Sequence, residues 1–145
     1  GSVRGKRIAI LGLTFKPNTD DMREAPSLSI IRALQDSGAQ ICAYDPEGME
    51  SARPLLDDTS YADDAYAAAE GADCIVIVTE WNEFRSLDLE RLKTVMRSPV
   101  LVDLRNIYRS FEVERHGFAY HSVGRPDPLK TPRGPSPVPA LLVAE

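Results

Sequence analysis

The chain has 145 residues, of which 43% are hydrophobic and 27% are charged, and its formal net charge is −5. This length suits one domain with its own core, and an acidic chain without a stripe of lysines and arginines argues against nucleic-acid binding. No apolar run approaches the roughly 18 residues that a membrane span needs. We expect neither a membrane span nor a signal peptide, and therefore a cytoplasmic protein.

The first half of the chain alternates strand and helix patterns. Residues 6–12 form a short apolar run that ends in glycine and predicts a buried strand. A polar loop follows, and then a helix over residues 27–37, with Ser27 as its N-cap and Gly38 as its left-handed stop. Residues Gln40–Tyr44 predict the second strand.

The second half continues the alternation. Asp63 or Asp64 is expected to cap an alanine-rich helix over residues 65–70, whose small side chains permit close packing against a sheet. The near-continuous Ile/Val run at 74–79 is typical of a strand buried on both faces of a parallel sheet. Three further elements are a helix over 89–96 capped by Asp88, a strand over 100–102 and a strand over 118–123.

This alternation predicts the fold. Strands that alternate with helices favour an α/β, Rossmann-like, doubly wound and mainly parallel sheet of about five strands, with helices on both faces. Cys42 and Cys74 both lie in apolar strand patterns, so we expect buried free thiols rather than a disulfide or a nucleophile.

The composition changes after residue 125. Six of the eleven prolines fall between Pro126 and Pro139, which excludes a helix or an inner strand there. We therefore divide the chain into a domain over residues 3–125 and a proline-rich C-terminal tail over 126–145. A dispensable tail, a docking segment and a strap across the domain all remain open for this tail.

In an open parallel sheet, ligands bind beyond the carboxyl ends of the strands. The first of these loops lacks the Gly-x-Gly-x-x-Gly pattern that lets a backbone approach a pyrophosphate, since Gly12 is followed by LTFKP. We therefore expect a nucleotide-type fold without an NAD site of its own. Asp45 stands where a ribose-binding acid would stand, but Asp45-Pro46 is more typical of a turn.

The same loop concentrates charged residues. Lys16 follows the strand closely and could donate to a phosphate or sugar oxygen. The alternative is a solvated loop with local Asp–Arg pairs worth under about 1 kcal/mol each. The charged residues of this loop are Lys16, Asp20, Asp21, Arg23 and Glu24.

Two other strand ends carry candidate residues. Asp103 and Arg105 share a face by strand periodicity, so the arginine could fork onto a diphosphate or ribose hydroxyls, or the two could form a structural pair. Trp81 and Phe84 could form a stacking wall, although a cover for the sheet is favoured. His116 and His121 have no Cys or His partner at ligand spacing, so we expect no metal site.

The chain resembles a known family in five ordered segments. These are residues 12–27 (GLTFKPNTDDMREAPS), 43–46 (AYDP), 78–84 (VTEWNEF), 103–108 (DLRNIY) and 120–125 (YHSVGR). They closely resemble the UDP-binding domain of the UDP-glucose/GDP-mannose dehydrogenase family. The third and fourth segments look most like members that oxidise UDP-glucose at C6. Members that act on UDP-N-acetylmannosamine or GDP-mannose share the first segment with variations.

The resemblance implies site residues and partners. Phe15, Lys16 and Arg105 look like the residues that bind the UDP-sugar, and Arg23 looks like an arginine that touches NAD across the interdomain cleft. The family oxidises the sugar alcohol to a carboxylate by two hydride transfers to NAD⁺, through a thioester on a cysteine upstream of this domain. The resemblance therefore implies no catalytic residue here, partners in the NAD-binding and central domains of the same enzyme, and a homodimer when full length.

Two other classes of protein remain open at this point. A non-catalytic binding or interaction module would keep the fold for assembly and use the tail to dock a partner. A receiver-like domain phosphorylated on Asp45 would need an acidic cluster with Mg²⁺, for which the first loop offers Asp20 and Asp21 at best.

Overall fold

The computed structural model describes residues 2–123, so the predicted domain boundary at 125 and the proline-rich tail lie outside the described residues. Within this range six parallel strands form one sheet. The strands are β1 (Arg7–Leu11), β2 (Gln40–Tyr44), β3 (Thr59–Tyr61), β4 (Cys74–Ile77), β5 (Val100–Asp103) and β6 (Ala119–Ser122).

The strand order is β3-β2-β1-β4-β5-β6, which is the doubly wound arrangement that the alternation predicts. The predicted class is confirmed, but the count of about five strands was one short, because β3 was not predicted. Its three residues, Thr-Ser-Tyr, lie at the sheet edge and are only partly buried. A strand this short and polar carries no hydrophobic period to detect.

Helices cover the sheet and connect the strands. The three longest are α1 (Pro26–Asp36), α5 (Leu89–Val95) and α6 (Ser110–Arg115); α2 (Met49–Ala52) with the 3₁₀ turn Arg53–Leu55, α3 (Ala65–Ala69) and α4 (Asn82–Arg85) are shorter. The helices expected near residues 27–37, 65–70 and 89–96 are confirmed. Helices α2, α4 and α6 were not predicted, since one or two turns give too few residues for a helical period.

Helix caps follow the prediction at two of three positions. Asp64 accepts a hydrogen bond from the Ala67 amide at 2.7 Å, and Asp88 accepts one from the Arg91 amide at 3.1 Å. The prediction for Ser27 was wrong, because α1 begins one residue earlier at Pro26. The Ser27 hydroxyl is buried and instead donates to the Leu13 carbonyl at 2.6 Å, so it fastens the helix to the preceding loop.

The Asp64 cap gives a stability prediction. Substituting Asp64→Ala leaves the Ala67 amide without its acceptor, so we expect the free energy of unfolding in urea to fall by about 1 kcal/mol. Asp63→Ala is the control, because that neighbouring side chain is exposed and makes no hydrogen bond within residues 2–123. An equal loss in both variants would contradict the capping role.

The sheet separates two hydrophobic cores. Strand β4 is fully buried and sends alternate side chains into each core, as its Ile/Val run predicts. Cys42 belongs to one core and Cys74 to the other, so the sheet stands between the two thiols. Both are free and buried, as predicted. Burial raises the pKa of both thiols, that of Cys74 to about 12, which keeps them protonated and poorly nucleophilic.

Candidate functional site

The strand order reverses between β1 and β4. The chain runs from β1 outward to β2 and β3, then crosses to β4 on the other side of β1. The crevice at the carboxyl ends of these two strands is where a sheet of this kind binds its ligand. Four loops meet at this edge, and they follow β1, β2, β4 and β5.

The backbones of two of these loops touch at the reversal point. The Thr79 hydroxyl, which follows β4, donates to the Thr14 carbonyl at 2.8 Å. Gly12 has a φ of +98°, and a Cβ added there would lie 2.6 Å from both the Cβ and the amide nitrogen of Thr79. Glycine at this position therefore allows the loop after β1 to cross directly over the end of β4.

A buried carboxylate connects the loops after β1, β2 and β4. Asp45 is fully buried and accepts six hydrogen bonds. Its donors are the amides of Leu13, Thr14, Glu47 and Gly48, the Thr14 hydroxyl and the Trp81 indole, at 2.7–3.3 Å. Asp45 therefore fixes the relative position of the three loops, which agrees with the turn interpretation. A carboxylate so occupied can neither bind ribose hydroxyls nor accept a phosphoryl group.

These strand ends do not fit a dinucleotide site within the described residues. The acid at the end of β2 is enclosed, and the loop after β1 has no glycines where a pyrophosphate would approach the backbone. Helix α1 begins with Pro26 at its first turn, which supplies no amide there. The geometry of this edge therefore gives no support for an NAD site built from residues 2–123 alone.

Phe15 and Lys16 belong to the loop after β1, whose start is held by the buried Asp45. Both residues are exposed, with half of the Phe15 surface open to solvent. Their backbone is held on both sides. The Phe15 amide donates to the Asp21 carbonyl at 2.8 Å, and the Lys16 carbonyl accepts from the Thr14 hydroxyl at 3.1 Å. A large apolar ring and an ammonium group are thus presented at the crevice from a fixed main chain.

Arg23 forms the local ion pair that the loop composition suggested. Its Nε and Nη2 each donate to one oxygen of Asp21 at 3.1 Å. This pairing lowers the pKa of Asp21 and raises that of Arg23, and the charge of Lys16 lowers the Asp21 pKa further. Since the Arg23 side chain is 90% exposed, the pair contributes little to stability, and most of the side-chain surface remains open to solvent.

Asp103 and Arg105 diverge rather than forming the pair that their spacing suggested. Asp103 is fully buried, and its Oδ1 accepts from the Arg105 amide at 3.1 Å. Its Oδ2 accepts from the amides of Ile107 and Tyr108 and from the Tyr120 hydroxyl. Asp103 therefore shapes the loop after β5 and does not point into the crevice. The Arg105 guanidinium leaves this loop and meets Glu80 at 2.5 Å.

The two predicted cations share the edge without touching. Lys16 follows β1 and Arg105 follows β5, with only β4 between these strands. Two strand spacings place their points of origin about 10 Å apart, a span that one nucleoside diphosphate can bridge. Glu80, which follows the intervening strand, was not predicted as a site residue. Its only sequence signal is an acid directly beyond a buried strand, and its pairing with Arg105 depends on β4 and β5 being neighbours.

Trp81 and Phe84 cover the sheet, as favoured from the sequence. Their exposed fractions are 7% and 0%, and the Phe84 ring packs edge-on against Tyr44 with the ring centroids 6.1 Å apart. The Tyr44 hydroxyl donates to Glu83 at 2.6 Å. Burial first, and then the Glu83 carboxylate, raise the pKa of Tyr44. Trp81 and Phe84 therefore anchor the loop after β4 to the hydrophobic core.

One cleft within residues 2–123 lies away from the candidate binding residues. This open cleft, of about 290 Å³ between α5 and α6, includes neither Lys16 nor Arg105 in its lining. His116 borders it and lies 2.7 Å from the Glu90 carboxylate. Residues 2–123 contain no cluster of three or more His, Cys, Asp or Glu side chains arranged for a metal. In the same range no helix is both long and apolar enough to traverse a bilayer.

Comparison with known proteins agrees with the resemblance seen in the sequence. Residues 9–110 match the model of the UDP-glucose/GDP-mannose dehydrogenase family, UDP binding domain. A UDP-glucose 6-dehydrogenase of Rhizobium meliloti (strain 1021) is 61% identical over 127 residues, which are 88% of this chain and 29% of that protein. The chain thus spans less than a third of the length of this curated relative.

Solved structures show the same relationship. A UDP-glucose dehydrogenase from Pyrobaculum islandicum superposes with a TM-score of 0.66 at 36% identity, over 77% of this chain and 24% of that one. A UDP-D-ManNAc dehydrogenase from Pyrococcus horikoshii gives a TM-score of 0.70 at 31% identity, over 86% and 27%. On the family match, the fold and the five ordered segments, the chain belongs to the UDP-glucose/GDP-mannose dehydrogenase family and contains its UDP binding domain.

Proposed function

We propose that this chain is the nucleotide-sugar-binding part of an NAD-dependent UDP-glucose 6-dehydrogenase, which converts UDP-glucose to UDP-glucuronate. The observation that carries the proposal is that Phe15, Lys16 and Arg105 are all exposed at the carboxyl ends of the strands, around the point where the strand order reverses. A nucleotide-sugar offers the matching chemistry, since it combines an anionic diphosphate with apolar ring faces and hydroxyls. The 61% identity with a UDP-glucose 6-dehydrogenase supports the choice of sugar.

In this proposal the chain binds and orients the substrate but takes no part in the covalent chemistry. Lys16 provides a point charge for phosphate or sugar oxygens, and Arg105 provides a planar fork. The Phe15 ring packs against the ligand. Fixing the substrate in this way lowers the entropic cost of reaching the transition state.

The remainder of the enzyme supplies the chemistry in this proposal. NAD, held mainly by another domain of the same enzyme, accepts the hydrides, and the exposed Arg23 contacts it across the cleft between domains. The nucleophilic cysteine belongs to that other part, because Cys42 and Cys74 are both buried with raised pKa values. We further propose a domain over residues 3–125, a homodimer when full length, and no ligand-binding role for residues 126–145.

The proposal is tested by heteronuclear NMR titration of the 145-residue chain with UDP, UDP-glucose, GDP-mannose and NAD in separate experiments. We expect the uridine ligands alone to shift the amide signals of Phe15, Lys16 and Arg105, with weak affinity because only part of the binding site is present. A response to GDP-mannose equal to that with UDP would contradict the uridine specificity. An absence of shifts with millimolar UDP would contradict a half-site in this chain.

Substitution of the two cations gives a quantitative prediction. Lys16→Ala and Arg105→Ala should each weaken the dissociation constant for UDP by about tenfold, the loss expected for one charge-assisted hydrogen bond. Lys6→Ala is the matched control, since Lys6 is an exposed residue that precedes β1 at the opposite edge of the sheet. Equal weakening by all three variants would indicate a general charge effect and contradict the assigned roles.

A second candidate substrate follows from the structural comparison. The similarity to a UDP-D-ManNAc dehydrogenase (TM-score 0.70) makes a UDP-linked N-acetylated sugar the alternative. Titration with UDP-glucose and with UDP-N-acetylmannosamine, each compared with UDP, measures the contribution of the sugar. Tighter binding of the N-acetylated ligand would favour this alternative.

A further inference from the structure

Arg105 is held by a partner that neither its own strand nor its own loop supplies. Its Nε donates to Oε2 of Glu80 at 2.5 Å, and its Nη2 makes an ion-pair contact with the same oxygen, also at 2.5 Å. Glu80 follows β4, and the two residues are 25 positions apart in the chain. The contact therefore exists only because β4 and β5 are neighbours in the sheet.

The main chain beneath both side chains is fixed. On one side, the loop after β4 is held by the Thr79 hydroxyl on the Thr14 carbonyl and by the Trp81 indole on Asp45. On the other side, the buried Asp103 accepts from the Arg105 amide, and the chain then turns through Asn106 at a φ of +56°. Both side chains thus leave from rigid positions, and Glu80 meets Arg105 without rearrangement of either loop.

The geometry divides the guanidinium into two edges. A guanidinium carries five N–H donors; Glu80 accepts the one on Nε, and the same carboxylate oxygen lies 2.5 Å from Nη2. Within residues 2–123, Nη1 makes no hydrogen bond, and 45% of the Arg105 side chain is exposed, against 23% for Glu80. The carboxylate therefore covers the Nε–Nη2 edge of the guanidinium, its inner edge. The other edge, between Nη1 and Nη2, is its outer fork and makes no hydrogen bond within the described residues.

We propose that Glu80 is a positioning residue for Arg105, which holds the inner edge of the guanidinium so that its outer fork faces an anionic ligand at the crevice. This inference rests on the proposed function for its ligand. An exposed arginine samples many rotamers, and ordering it on binding costs affinity. Glu80 removes that cost in advance, as carboxylates do when they orient metal-binding histidines.

The test compares Glu80→Ala with Glu80→Gln in the 145-residue chain. The first arm uses no ligand and follows the Nε–Hε signal of Arg105 by NMR. We expect Glu80→Ala to shift this signal and to accelerate its exchange with water, because the acceptor is gone. Glu80→Gln keeps an acceptor oxygen of the same reach and should retain most of the protection.

The second arm measures UDP affinity with the same variants. We expect the dissociation constant for UDP to rise about tenfold in Glu80→Ala, the effect of losing one charge-assisted hydrogen bond. In Glu80→Gln it should return to near the value of the unsubstituted chain. Glu50→Ala is the matched control, because Glu50 pairs with Arg53 Nε at 3.0 Å in a surface ion pair that belongs to no loop at the crevice. That variant should leave both readouts unchanged.

Three outcomes would overturn the proposal: an unchanged Nε–Hε signal in Glu80→Ala, tighter UDP binding in that variant, or no recovery in Glu80→Gln. Tighter binding would mean that Glu80 competes with the ligand for Arg105. If the unsubstituted chain does not bind UDP, the proposed function fails for this chain. The ligand-free arm still decides whether Glu80 orients Arg105.

Discussion

Substituting Asp45→Ala is expected to lower the free energy of unfolding by about 3–4 kcal/mol, among the largest effects of a single exchange in this domain. The carboxylate is fully buried and accepts hydrogen bonds from four backbone amides, one hydroxyl and one indole. Alanine removes every acceptor and leaves these donors in a space that water reaches poorly. Buried donors without partners cost far more than an average hydrogen bond contributes.

Urea unfolding followed by circular dichroism measures this loss. Asp45→Asn should cost about 2 kcal/mol, because the amide keeps one acceptor but turns an NH₂ group toward backbone donors. Glu47→Ala is the matched control, since this exposed carboxylate lies two residues away and makes no side-chain hydrogen bond within residues 2–123. A loss below about 1 kcal/mol for Asp45→Ala would show that water replaces the carboxylate and that the three loops do not depend on it.

Substituting Gly12→Ala is expected to lower the free energy of unfolding by about 3 kcal/mol or more, from two additive causes. A non-glycine residue with a left-handed φ costs about 1–2 kcal/mol, and Gly12 has a φ of +98°. The added methyl group also lies 2.6 Å from the amide nitrogen of Thr79. Because backbone cannot rotate away as a side chain can, the overlap adds about 1–3 kcal/mol.

Gly5→Ala separates these two causes. Gly5 also has a positive φ, +76°, but a Cβ added there meets nothing within 4 Å. This control should therefore lose only the conformational part, about 1–2 kcal/mol. Equal losses at both positions would contradict a close backbone crossing at the end of β4. In Gly12→Ala we also expect shifted amide signals at Phe15 and Lys16, since their loop begins at this crossing.

The sequence predicted where the candidate residues lie relative to the strands but not which groups they contact, and the reason is physical. Strand ends can be located from apolar runs, so Lys16 and Arg105 were placed correctly beyond β1 and β5. What their side chains contact depends on which strands are neighbours and on how loops fold over them. Asp45 illustrates this limit, because Asp-Pro after a strand predicts a turn but does not reveal a carboxylate shared by three loops. Glu80 has no local signal that identifies its partner.

The sequence by itself determined the fold class, the family resemblance and the position of the loops, because hydrophobic period, caps and ordered motifs are properties of short segments. Only the tertiary structure decided which charges meet. It separated Asp103 from Arg105 and joined Arg105 to Glu80 from the adjacent strand. It also enclosed Asp45 while leaving Lys16 exposed. Burial and long-range pairing depend on the packing of distant segments, which no local pattern encodes.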